Sequence, residues 1–170
     1  YHMPGLKGDP DVAVIEYRAR DMLYPDCAIL WMHGGGYMMG SADDLSAQGH
    51  SALAPVISVD YRMAPEHRAP AAARDVCAVI ERVAENRSPR KIILAGPSAG
   101  GGLAASAGLM NSDRGGPDIA FQLLIYPMID DRHDTPSGHM DIPPSTWTRE
   151  TSLHAWSLYA EEGGASPYAA

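Results

Sequence analysis

Four unbroken apolar runs constrain this 170-residue chain more than any other feature. They are "CAILWMHGG" (27–35), "APVISVDYR" (54–62), "KIILAGPS" (91–98) and "IAFQLLIYP" (119–127). A strand that is apolar at nearly every position has both faces covered, which happens in parallel sheets flanked by helices. "DVAVIEYRA" (11–19) instead alternates apolar and polar residues, as a half-exposed strand does. Helical patterns fill the gaps, at 43–53, 69–86 and 99–111. In the second of these, Ala73, Val76, Cys77, Ile80 and Val83 share one face. Strands alternating with helices predict a doubly wound α/β fold with a mainly parallel sheet.

Hydrophobic residues make up 45% of the chain and charged residues 20%, enough apolar material to close a core in one soluble domain. A net charge of −8 argues against nucleic acid and anionic membrane surfaces as partners. No apolar run is long enough to span a bilayer, and no leader is visible, so a cytoplasmic location is expected. Cys27 and Cys77 stand alone in apolar contexts and are expected to be small core residues rather than a disulfide framework. Tyr1 and His2 precede the first methionine and are expected to be a vector remnant. Residues 3–130 then form the core. Residues 131–170 form a polar, proline-rich loop and a helix over 146–163 with an aromatic face, ended by Gly163-Gly164.

The chemistry centres on "GPSAG" (96–100), a G-x-S-x-G pattern between a strand and a helix. Such a turn lifts Ser98 Oγ above the sheet and aims the next helix's N-terminus at a developing oxyanion, with the Ala99 N–H as a donor. The pattern alone is also compatible with a plain glycine-rich turn. "HGGGYMMGS" (33–41) follows an earlier strand, and its three glycines leave backbone amides free to face a ligand. It lacks the lysine and the spacing of a phosphate loop. Tyr37, Met38 and Met39 are candidate pocket walls or ordinary packing. "DYRMAPEHRAPAA" (60–72) reads as a turn before a helix, with Glu66 and His67 in a polar network that braces it.

Taken in order, "HGGGY", "DYRMAPEHRAPAA", "GPSAGG", "LLIYPMID" and the final "SPYAA" resemble the hormone-sensitive-lipase family of serine esterases. The resemblance runs from about residue 10 to 170 and implies an α/β-hydrolase fold with a partial cap segment. It implies Ser98 as nucleophile, Gly35, Gly36 and Ala99 as oxyanion donors with Gly34 as the nearby alternative, and His33 as a structural partner of the glycine loop. It also implies short-chain acyl esters as substrates and no metal or organic cofactor.

The chain departs from the family in three ways, one of them a short amino end where part of the family's lid is expected to be absent. In this fold the triad runs Ser…Asp/Glu…His, and no counterpart of the family's late acid and histidine follows Ser98; the chain is expected to stop short of them. A substitute pair of His133 or His139 with Asp130 or Asp131 is sterically conceivable, while "DDRHD" lacks metal-ligand spacing. Pro97 stands where the family usually has aspartate. The strand at 119–127 is expected to be an exposed apolar edge that recruits a second copy or a complementing chain. Two readings stay open on the sequence: an ester hydrolase, or an impaired remnant acting as a dimeric or binding module.

Overall fold

The computed structural model describes residues 1–140, 147–160 and 166–169. Six strands form one sheet: β1 (His2–Met3), β2 (Val12–Tyr17), β3 (Cys27–Met32), β4 (Val56–Asp60), β5 (Lys91–Pro97) and β6 (Ile119–Ile125). Their spatial order is β1-β2-β4-β3-β5-β6. The pairs β3–β4, β3–β5 and β5–β6 are parallel, while β1 and β2 join antiparallel. The four apolar runs are thus the parallel strands, and the alternating segment is the antiparallel one. Tyr1 and His2 take part in the sheet: His2 pairs with Ala13, and the Tyr1 carbonyl accepts from Val14 N–H at 2.9 Å.

Side chains alternate across β3. Leu30 and Met32 enter the main core, and Ile29 and Trp31 enter a second cluster on the other face. The main core lies under α2 (Ala71–Arg87) and α3 (Ala99–Asp113), where all five expected α2 positions are buried. The second face is covered by α1 (Leu45–Gly49), much shorter than its sequence pattern. Asp44 caps α1, accepting from Ser46 N–H at 2.8 Å and from Trp31 Nε1–H at 3.0 Å. The chain turns away at His50, whose ring lies tilted against Trp31 with centroids 4.6 Å apart.

The fourth helix, α4 (Arg149–Tyr159), is capped by Thr148. It packs onto the core rather than standing off it: Trp156 and Tyr159 are buried in the main cluster. Its expected start at 146 and its Gly163-Gly164 stop lie outside the described residues. Of the cysteines, Cys77 is buried, and burial pushes its thiol up to about 12. Cys27 is only half-buried, because it opens β3 at the sheet's rim. β6 lies at a sheet edge among the described residues, with Phe121 and Leu123 exposed.

The loop after β4 is braced differently from expectation. Glu66 and His67 are exposed. The network is built from Asp75, which is buried and accepts from Arg62 N–H (2.9 Å), Nε (3.0 Å) and Nη2 (2.7 Å). Asp9 accepts from Arg62 Nη2 at 3.1 Å and Arg74 Nε at 2.7 Å. This ties the amino-terminal segment, the loop and α2 together.

Candidate active site

β5 ends at Pro97 and α3 begins at Ala99, so one residue makes the whole turn. That residue, Ser98, has φ 53° and ψ −120°, a backbone state that non-glycine residues rarely adopt. The turn is held on both sides: Ser98 N–H donates to the Ile125 carbonyl and Met128 N–H donates to the Ser98 carbonyl, each at 2.9 Å. The flanking glycines are required by close approach. A Cβ on Gly100 would lie 2.0 Å from the Met32 carbonyl oxygen and 2.6 Å from that of His33. The helix therefore starts directly against the end of β3, and Ser98 is half-buried beside the glycine loop.

Gly34 faces the turn, since a Cβ there would sit 3.7 Å from Ser98 Cβ. His33 fixes the loop. Its Nδ1–H donates to the Gly34 carbonyl at 2.7 Å, its ring stacks on Tyr61 at 4.3 Å, and the Tyr61 hydroxyl donates to the His33 carbonyl at 2.8 Å. In a trans peptide the C=O and the following N–H point opposite ways. Pinning the Gly34 oxygen to His33 therefore turns the Gly35 N–H away from the imidazole. Burial pulls the His33 imidazole below its usual pKa, which keeps the ring neutral. The backbone N–H groups of Gly35, Gly36 and Ala99 donate to no acceptor among the described residues. Pro97 offers no backbone donor, and it pairs in register with Ile125.

Tyr37 is not a pocket wall. It is buried, stacked on Tyr159 with ring centroids 3.9 Å apart, and its hydroxyl donates to the Met128 carbonyl at 2.6 Å. Met128 thus bridges the two motifs: its carbonyl holds Tyr37, and its N–H holds Ser98. Sequence reasoning missed this link, although the conjunction of "HGGGY" and "YPM" was its only signal. Met38 is half-buried and Met39 is exposed.

A cleft of about 500 Å³ opens at Ser98, with Tyr126, Met128, Asp130, Trp147 and Trp156 among its walls. No histidine side chain hydrogen-bonds to Ser98 among the described residues. His133 is half-buried, with Nε2 3.3 Å from Ser152 Oγ, and His139 is exposed. Asp130 lines the cleft but is engaged by Arg132 at 2.8 and 2.6 Å, which holds its carboxyl far below the usual range. The conceivable pairs of His133 or His139 with Asp130 or Asp131 are therefore not assembled on the serine.

A serine on a strained strand-to-helix turn thus stands beside a glycine loop and lines a cleft. The sequence model of the alpha/beta hydrolase fold matches residues 29–170, and the chain belongs to that family. Carboxylesterase NlhH of Mycobacterium tuberculosis is 44% identical over 108 residues, covering 58% of this chain and 34% of that protein. Arylacetamide deacetylase-like 2 of Homo sapiens is 32% identical over 159 residues, 84% of this chain and 39% of its own length. The solved bacterial heroin esterase superposes with a TM-score of 0.91 at 32% identity, covering all of this chain and 59% of that one. The chain thus spans 34% to 39% of the length of these two curated relatives. No helix among the described residues is long and apolar enough to cross a membrane.

Proposed function

We propose that this chain carries the nucleophile and oxyanion machinery of a serine carboxylic-ester hydrolase acting on short-chain acyl esters. The observation that carries the proposal is the Ser98 turn, strained at φ 53° and locked by Gly100 against β3. Ser98 Oγ attacks the ester carbonyl, and its proton passes to a base. The amides of Gly35, Gly36 and Ala99, with Gly34 beside them, face the oxyanion as the carbonyl becomes tetrahedral. The alcohol leaves with a proton, and water then hydrolyses the acyl-enzyme. The named esterases among the relatives support this reading.

The base and its acid orienter come from residues other than those described around Ser98. The exposed β6 edge, with Phe121 and Leu123, supports assembly with further strands or a second copy that completes the site. The acidic charge and the absence of a long apolar helix among the described residues are compatible with a cytoplasmic location. Hydrolysis of p-nitrophenyl acetate by the chain and by Ser98→Ala tests the proposal. Turnover that vanishes in Ser98→Ala is expected; equal rates in both would sink it. The remnant reading has one observation in its favour, the unassembled base, and predicts equal and negligible rates.

A further inference from the structure

A second cleft of about 210 Å³ adjoins the one at Ser98 and includes His133 and Met140 among its walls. Trp147 and Ser152 are common to both clefts, so these two side chains partition them. The indole also reaches the glycine loop: a Cβ on Gly36, whose φ is 62°, would lie 2.2 Å from Trp147 Cη2. Trp147 therefore spans from the loop to α4 and closes one side of the Ser98 cleft. Tyr126 and Asp130, which also line this cleft, are exposed, Tyr126 to 76%, so the cleft is open where they stand.

This asymmetry matters for the reaction order. In acyl transfer through a serine the alcohol departs first, while the acyl group stays bound until water arrives. The departing alcohol needs the open side, so the acyl group lies toward the enclosed one. We infer that Trp147 is the wall that sets the acyl length this cleft accepts. The inference rests on the ester-hydrolase reading of Ser98 and adds a specificity-determining residue to it. A short acyl group ends against the indole, and a longer one collides with it. Removing the indole joins the two clefts and gives additional methylenes room to extend toward Met140.

The test measures binding, so that it does not depend on turnover. N-(4-nitrophenyl) alkanamides with two-carbon and eight-carbon acyl groups are bound to the 170-residue chain by equilibrium dialysis. Wild type, Trp147→Ala and Trp147→Leu are compared. Burying each further pair of methylenes tightens binding by about tenfold, so the eight-to-two affinity ratio should rise at least tenfold in Trp147→Ala and less in Trp147→Leu. Should Trp147→Ala not fold, the Leu variant carries the same comparison. A ratio unchanged within about twofold in the folded variants overturns the inference. Absent turnover with a raised ratio would sink the nucleophile reading and leave the wall standing; turnover with an unchanged ratio would do the reverse.

Discussion

Replacing Gly100 with alanine puts a methyl group where the backbone of two other segments already lies. The new carbon would sit 2.0 Å from the Met32 carbonyl oxygen and 2.6 Å from that of His33. Non-bonded heavy atoms settle at about 3.5 Å or more, so α3 and the end of β3 must part by about 1.5 Å. Neither obstacle can rotate away, because both are backbone. Overpacking of this kind costs about 3 kcal/mol, at the upper end of its range. Alanine returns about 1 kcal/mol of helix propensity. The net loss of about 2 kcal/mol corresponds to a Tm fall of about 4–8 °C for a chain of this size. Gly49→Ala is the internal control: it also lies in a helix, but nothing stands within 4 Å of its added carbon. It should be neutral or stabilising by up to about 1 kcal/mol. Thermal and urea unfolding followed by far-UV circular dichroism reads both. If Gly100→Ala were as stable as Gly49→Ala, the account of the turn as a backbone-to-backbone contact would be wrong.

Two further outcomes follow from the groups around the site. His33 has a folded-state pKa below its ordinary value, so the unfolded chain takes up a proton that the folded one resists. Stability is expected to fall as pH drops below the ordinary histidine value of 6.5, and His33→Gln should flatten that slope. The depressed carboxylates act lower: Glu16, held down chiefly by its Arg87 hydrogen bond, loses its contribution only as pH falls through its folded-state value, below 4.5. Urea midpoints at pH 7, 6 and 5 read the histidine window, and midpoints at pH 4 and 3 read the carboxylate window. Asp75→Ala leaves Arg62 partly buried with one carboxylate partner fewer, and should cost about 3–5 kcal/mol in urea unfolding. A loss under about 1 kcal/mol would show that the network does not brace the loop.

The strands were legible because burial on both faces leaves an uninterrupted apolar run, as in "CAILWM" and "KIILAG". The turn at Ser98 was legible because only glycine tolerates the approach of Met32 and His33. The loop's bracing was misread, since Glu66 and His67 stand beside the motif in sequence while Asp75 reaches it from the next helix turns away. Tyr37 looked like a cleft wall because its neighbours in the motif line the glycine loop. Its side chain instead turns inward to Met128 and Tyr159, contacts that span 91 and 122 residues and leave no local pattern. Cys27 carried an apolar context yet sits at a strand's first residue, where the sheet's rim meets water.

The central claim is that Ser98 is a nucleophile, and covalent trapping tests it most directly. The 170-residue chain is incubated with a short alkyl fluorophosphonate, and the adduct is mapped by peptide mass spectrometry in wild type and Ser98→Ala. A single adduct on Ser98, absent from the alanine variant, is the expected result. Folded wild-type protein that stays unlabelled, or equal labelling of Ser98→Ala at another hydroxyl such as Ser152, would contradict it.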